Sequence, residues 1–394
     1  MSAGHVVLVG AGHANLLVVR DARRLVRAGL DVTLVDPDAF WYSGMAAAVA
    51  GGVVHPGRDR VDPAPLAASR GVRLLRGRAT GFDPATTTVT VTTPDGDQER
   101  LGATAVVLNV GSEVDPRGLP ADLPGVVTAK PTTGLLALRD RLLAGPRGAR
   151  VVVVGGGATA VELAANLTAG AVGRRVAPAV TLVAPGPPVP VVSDRIRARM
   201  LAPLRARGVA LEVGTRVVGL RPGDAARVAV DLDDGRTLPA EHVLLATGLR
   251  AHRAVEDLGL GDAEGMPTTT LLQHPDHPRV LGAGDAIRFA GDGLPRLGVF
   301  AVRQAPVLVD NLLALHAGTP LRAYEPQGTF VAALDLGGGD ALLMRGDRWI
   351  AGRGALAAKR VLDEWFLRRH RVPLGSSGRS WGGGRAAPPG APEA

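Results

Sequence analysis

Two glycine-rich turns, about 145 residues apart, carry residue types that hold a pyrophosphate. The first is Gly10-Ala11-Gly12-His13-Ala14-Asn15. Gly10 permits a tight turn and Gly12 lets backbone approach a phosphate. The helix that follows would aim its positive end and free N–H groups at that phosphate. His13 would line the same turn. Asn15 stands where a third glycine or alanine is usual, so this fingerprint is imperfect. Asp36 ends the next strand and can accept from the hydroxyls of an adenine ribose. The second turn is Gly155-Gly156-Gly157-Ala158-Thr159-Ala160, complete with Ala160 as its small third residue. Ala184 follows its second strand, where NAD-specific sites carry an acid. No arginine stands within the next several residues to hold a 2′-phosphate. NADH against NADPH therefore stays open, as does any use of nicotinamide: the alternative is a retained fold with a blocked site. Far downstream, Ala283-Gly284-Asp285 follows a strand. After a second nucleotide unit its carboxylate has a specific use, to accept from a ribityl hydroxyl of FAD.

Elements of fixed kind must position these turns. Residues 5–10 and 31–35 read as buried strands around a helix that ends near Arg27. Residues 150–154 and 179–183 repeat the pattern around a helix that ends near Leu167. Short strands follow each unit: 72–77, 81–82, 86–91 and 105–110 after the first, then 210–213, 217–220, 227–232 and 242–246 after the second. Pro94-Asp95-Gly96 and Asp234-Gly235 mark equivalent turns. This echo predicts a duplicated α/β architecture. A first dinucleotide domain (1–115 and 251–322) is split around a second (116–250), and a small C-terminal unit (323–371) follows. The tail 372–394, rich in Gly, Pro and Ser, is expected to be disordered.

Composition closes several routes. With no cysteine there is no disulfide, thiolate nucleophile or cysteine-ligated metal. His274 and His277 lack matching ligands nearby, so no metal site is expected. Aromatics are only 3%, so Val, Leu and Ala must fill the cores. The net charge of +8 would suit nucleic acid, but its arginines are spread along the chain and often lie near acids, so no nucleic-acid partner is expected. The chain opens directly into a strand and has no long apolar run, so a cytoplasmic protein is expected, peripheral to the inner face of the membrane at most.

Taken in order, these motifs resemble the two-dinucleotide flavoproteins of the pyridine nucleotide-disulfide oxidoreductase superfamily. The nearest resemblance is to type II NADH dehydrogenases and to the flavoproteins associated with selenide, water dikinase. Tyr42-Ser43-Gly44-Met45, Asn109-Val110-Gly111-Ser112, Ala129-Lys130-Pro131, Ala246-Thr247-Gly248 and the run from Gly298 to Gln304 carry it together with the three glycine motifs. The resemblance implies FAD on the first domain, NADH or NADPH on the second, and the two meeting at their interface. It implies cofactor contacts from Gly10, Gly12, His13, Asn15, Asp36, Ser43, Gly44, Met45, Thr80, Gly111, Gly155, Gly157, Ala160, Gly248, Gly284, Asp285 and Val302. Two departures matter. The redox CxxxxC pair of the disulfide reductases is absent, and Gln304 is one residue out of register with the AQxxxQ quinone motif of the dehydrogenases.

Around the flavin the catalytic candidates are Glu162, Lys130 and Tyr42. The resemblance places Glu162 near nicotinamide and flavin; an exposed helix acid is its alternative. Lys130 is unusual because only it and Lys359 are lysines among 45 basic residues. Its compact ammonium could meet flavin N5 or a carboxylate where a guanidinium would not fit. Tyr42 and Ser43 precede an Ala-rich helix, 45–50, and if that helix points at the flavin, Tyr42 can donate a proton. Core packing explains it equally. Residues 355–372 place Leu356, Leu362, Trp365 and Phe366 beside Lys359, Arg360, Arg368 and Arg369, a pattern suited to an anionic membrane surface. Docking on its own FAD domain or on a second subunit of a homodimer is the favoured alternative.

The expected activity is hydride transfer from NAD(P)H through FAD to a small-molecule electron acceptor without a thiol, a quinone or quinone-like compound. Two other functions stay open: a flavin-dependent tailoring enzyme acting on a polycyclic or quinonoid substrate, and a non-catalytic FAD-binding partner protein.

Overall fold

The computed structural model describes residues 4–170, 178–223, 228–290 and 293–371. The expectation for the tail falls on residues outside these.

Gly4–Val9 pairs in parallel with Leu30–Val35, Val6 lying opposite Val32 and Val9 opposite Val35. The sheet runs in the order Val280–Gly282, Ala105–Leu108, Gly4–Val9, Leu30–Val35, Arg73–Leu75. Its strands are near-continuous Val and Leu because helices cover both faces. Leu8, Leu34 and Leu108 are wholly buried, each contributing about 1.5–3 kcal/mol. A second parallel sheet repeats the order: Val126–Thr128, His242–Leu245, Arg150–Val154, Ala179–Ala184, Ala210–Val213. Each unit also carries a three-stranded antiparallel sheet. The first comprises Arg78–Asp83, Thr88–Thr92 and Gln98–Gly102, the second Val217–Pro222, Val228–Leu232 and Thr237–Ala240. The α/β architecture with two dinucleotide-type sheets is thus present. Three longer helices that the sequence reading did not single out, Pro63–Arg70, Thr133–Ala144 and Asp194–Ala206, complete the layers.

The C-terminal unit is an antiparallel sheet, Ala332–Gly337, Asp340–Arg345 and Arg348–Ala351, followed by the helix Arg353–His370. Its first strand lies on the helix Ala158–Ala169 of the second unit. Helix Gly298–Ala317 is long and apolar enough to cross a membrane by composition, but half of its apolar window is buried. It packs along His13–Asp21 in the first core.

The Ala-rich helix Ala46–Ala50 packs on Ala158–Ala169 of the second unit, and Ala46 and Ala50 belong to the second core. The contact is so close that a Cβ on Gly51 would lie 2.3 Å from the Asn166 carbonyl oxygen. This helix joins the two units, and the turn before it, Ser43–Met45, faces the C-terminal helix.

Candidate active site

The first glycine turn closes on one side chain, Asn109. Its Oδ1 accepts from the Ala14 and Asn15 N–H groups at 3.0 and 3.2 Å, and its Nδ2 donates to the Ala283 carbonyl at 2.7 Å. A Cβ at position 12 would stand 2.3 Å from that Oδ1. Gly10 has φ +86°, and a Cβ there would meet the Asn109 carbonyl at 2.7 Å. Only glycine fits either position. The helix His13–Asp21 has no acid in its first turn and no side-chain cap. Asn15 is placed differently from expectation. It is wholly buried, and its Nδ2 donates to the Val9, Gly10 and Val107 carbonyls. It ties strand ends together, which explains why a polar residue replaces the usual glycine. Asp36 stands beside the turn: its Oδ2 accepts from the Ala11 N–H at 2.6 Å and its Oδ1 from the Asp38 N–H. Burial pushes its carboxyl up, against the pull of those two hydrogen bonds. Thr80 is exposed on the antiparallel sheet, its hydroxyl paired with that of Thr92 at 2.8 Å.

Asp285 is the centre of a second group. Ser112 Oγ donates to its Oδ2 at 2.7 Å and Lys130 Nζ at 3.0 Å, while Lys130 also donates to Ser112 Oγ at 2.8 Å. Burial alone would raise the Asp285 carboxyl; the Lys130 charge and the two hydrogen bonds outweigh it and hold the group below the usual range. It is therefore an ionised acceptor at neutral pH. Gly284 has φ +68°, and its N–H donates to Gln304 Oε1 at 2.7 Å. Gln304 is buried and its amide oxygen is used in this way. Gly111, with φ +78°, precedes Ser112, and Val302 is half-buried on the helix above.

A third group joins the first unit, the second unit and the C-terminal helix. Tyr42 Oη donates to Asp363 Oδ1 at 2.9 Å, and its ring stacks on Phe366 at 4.7 Å. Lys359 Nζ donates to Asp363 Oδ2 at 2.8 Å and to the Gly44 carbonyl at 2.6 Å. Glu162 Oε1 accepts from the Asp335 N–H at 2.6 Å. Burial pushes the Glu162 carboxyl up to about 7, against the pull of Lys359. Burial and the Asp363 carboxylate push the Tyr42 phenol above its ordinary range, so it stays protonated. His13 lies edge-on to Phe40 at 4.8 Å and near Phe366; burial lowers it to about 4 and keeps it neutral. Ser43 is exposed and Met45 half-buried beside these groups. Both lysines of the chain thus stand in ion pairs with aspartates at this site.

Lys359 does not belong to an outward basic face: only 4% of it is exposed, in line with the docking alternative for this helix. Leu356 and Phe366 are buried beside it, whereas Val361, Leu362 and Trp365 face out with Arg360, Arg368 and Arg369. The inner half of the helix docks on the chain's own first unit. Asp335, Asp363, Asn109 and Ser112 were not singled out as site residues.

The second turn opens on a cavity of about 530 Å³, within the range of nucleotide pockets. Gly155, Gly157 and Gly248 line it, and Ala160 is buried where its helix meets the sheet. Gly155 has φ +139°, and a Cβ there would stand 2.2 Å from the Ala246 carbonyl oxygen. The helix Ala158–Ala169 starts at Gly157 with no side-chain cap.

These donor sets fit FAD in the first unit. Gly10 and Gly12 let the turn close on Asn109, which already accepts from the Ala14 and Asn15 N–H groups, and Asp36 and the ionised Asp285 beside the turn are suited to sugar and ribityl hydroxyls. The comparisons agree. Residues 4–305 match the pyridine nucleotide-disulphide oxidoreductase family. The chain belongs to this family of FAD-containing, NAD(P)H-binding oxidoreductases. Among its relatives, a nitric oxide reductase FlRd-NAD(+) reductase of Aeromonas hydrophila is 28% identical over 80% of this chain and 78% of its own. A demethylphylloquinone reductase NdbB of Synechocystis is 24% identical over 75% and 74%. The structure of NDH2 from Plasmodium falciparum in complex with NADH shares the fold, with a TM-score of 0.79 at 11% identity over 93% of this chain and 96% of that one. The dithiol chemistry in the family's name is closed to this chain, which has no cysteine.

Proposed function

We propose that this flavoprotein takes hydride from NADH or NADPH on its second unit and reduces a quinone or quinone-like small molecule beside the C-terminal helix. Residues 1–115 and 251–322 form the FAD unit in this reading, and 116–250 the nicotinamide unit. FAD, when bound, supplies the two-electron chemistry. The protein's residues orient the partners and manage protons. Gly12, His13 and Asp36 bind the dinucleotide, and Asp285, held ionised by Lys130 and Ser112, positions its ribityl chain.

The observation that carries the acceptor side is the Tyr42–Asp363–Lys359–Glu162 group. Quinone reduction consumes protons as well as electrons. A carboxyl that titrates near 7, an ammonium and a protonated phenol stand together here. A groove of about 970 Å³ runs along the same helix; Met45, Val53, Val54, Val361 and Trp365 line it together with His55, Glu364, Arg58, Arg360, Arg368 and Arg369, so it suits an acceptor with both apolar and anionic parts. The exposed Val361, Leu362 and Trp365 with their arginines would hold that groove against an anionic membrane.

The test is anaerobic mixing of the purified FAD-loaded protein with NADH and with NADPH, followed by addition of short-chain quinones. Flavin bleaching by a nicotinamide and recovery on adding quinone are expected. Flavin that stays oxidised with both nicotinamides would reject the reading.

A further inference from the structure

The nicotinamide cavity has no carboxylate among the described residues that line it, but it has two arginines, Arg117 and Arg216. This departs from an NAD-type mouth, where an acid at the end of the second strand accepts from the adenosine ribose diol. Here that strand ends in Ala184, followed by Pro185 and Gly186.

The two arginines differ in how they are used. Arg117 Nε donates to the Thr247 carbonyl at 2.9 Å, and its guanidinium lies against Gly248. Arg216 comes from the chain beyond the neighbouring strand. The N–H groups of Gly214 and Thr215 donate to the Ala184 carbonyl at 2.9 and 3.3 Å, which brings Arg216 to the end of the second strand. Its own N–H donates to Asp233 Oδ1. Its guanidinium is exposed and has no ion pair or hydrogen bond among the described residues. Four described arginines nearer Ala184 in sequence, Arg195, Arg197, Arg199 and Arg207, are already occupied. Arg197 donates to the Pro188 and Val192 carbonyls, and Arg195 lies over Trp349.

We infer that Arg216 is a specificity-determining residue that binds the 2′-phosphate of the adenosine ribose, so that the second unit selects NADPH over NADH. This rests on the reading of that unit as the nicotinamide site. A guanidinium recognises a phosphate through charge-assisted hydrogen bonds. The missing carboxylate removes both the partner of a free 2′-hydroxyl and the repulsion that would exclude a phosphate.

Calorimetric titration of the FAD-loaded protein tests this without catalysis. The probes are adenosine 2′,5′-bisphosphate, adenosine 5′-phosphate and, as a charge-matched control, adenosine 3′,5′-bisphosphate. The 2′,5′ compound should bind roughly 10- to 100-fold tighter than the monophosphate and clearly tighter than the 3′,5′ isomer. Arg216→Ala should collapse that preference toward one, and Arg216→Lys should keep part of it. Equal affinities for the three probes, equal binding of the two bisphosphates, or a preference that survives Arg216→Ala would each overturn the inference. Anaerobic flavin reduction is measured separately. A protein that discriminates the probes but is reduced by neither nicotinamide would sink the hydride-transfer reading and leave the 2′-phosphate site standing.

Discussion

The two nucleotide units are built on one plan and equipped for different ligands. Both place their glycine strand third in a five-stranded parallel sheet, with the next two strands in the same order on one side. The outer strand on the other side comes from later in the chain in the first unit, Val280–Gly282, and from earlier in the second, Val126–Thr128. That single difference delivers Asp285 to the first mouth, because the strand that ends at Gly282 leads straight into it. The first mouth holds Asp36 and Asp285, acceptors suited to hydroxyls. The second has Arg117 and Arg216 in its lining and Ala184 at its strand end, which on the role inferred for Arg216 would suit a phosphate. A repeated fold thus fixes where a ligand sits, and the residues at the strand ends decide which ligand it is.

The largest expected effect breaks the first mouth alone. Asp285→Ala removes an acceptor and leaves the partly exposed Lys130 without its counter-ion, at a cost of about 1–3 kcal/mol. The purified protein should lose most of its bound flavin, read as the ratio of flavin to protein absorbance. Retained full-strength flavin would show that the carboxylate is not part of the grip.

Paired glycine substitutions separate the units. Gly12→Ala would collide with Asn109, and Gly155→Ala with the Ala246 carbonyl, each at about 1–3 kcal/mol of overpacking. The first should weaken FAD retention. The second should keep the flavin and weaken nicotinamide-driven reduction roughly tenfold or more. Identical phenotypes would erase the division of labour drawn above.

Where the units meet, Glu162 gives a pH signature. Its carboxyl titrates near 7 in the fold, up from 4.5, so the folded state holds a proton that the unfolded chain has released. Stability from this group is full below about pH 4.5 and is lost as pH rises through 7, by at most roughly 3 kcal/mol. Guanidinium titrations at pH 5 and pH 8 should show a smaller difference in Glu162→Gln than in the parent. Parallel pH profiles for the two proteins would contradict the shift.

The smallest effect on folding belongs to the outer face of the C-terminal helix. Val361→Ser with Trp365→Ser should change stability by only about 0.5 kcal/mol, yet reduce co-sedimentation with anionic vesicles. Unchanged sedimentation would confine that helix to its intramolecular role.

The sequence by itself determined both glycine turns, the duplicated strand order and the absence of thiol chemistry. These depend on local periodicity and on residues adjacent in the chain, where glycine's freedom and an apolar run have one main physical meaning. Only the tertiary structure decided how the long-range polar groups pair. Asn15 looked like a flaw in a fingerprint until three carbonyls converged on it. Lys359 looked solvent-facing until Asp363 and the Gly44 carbonyl enclosed it. Arg216, 32 residues beyond Ala184, reaches the second mouth only because a parallel strand returns the chain there. Charges find partners through space, and no spacing rule along the chain records the distance across a folded sheet.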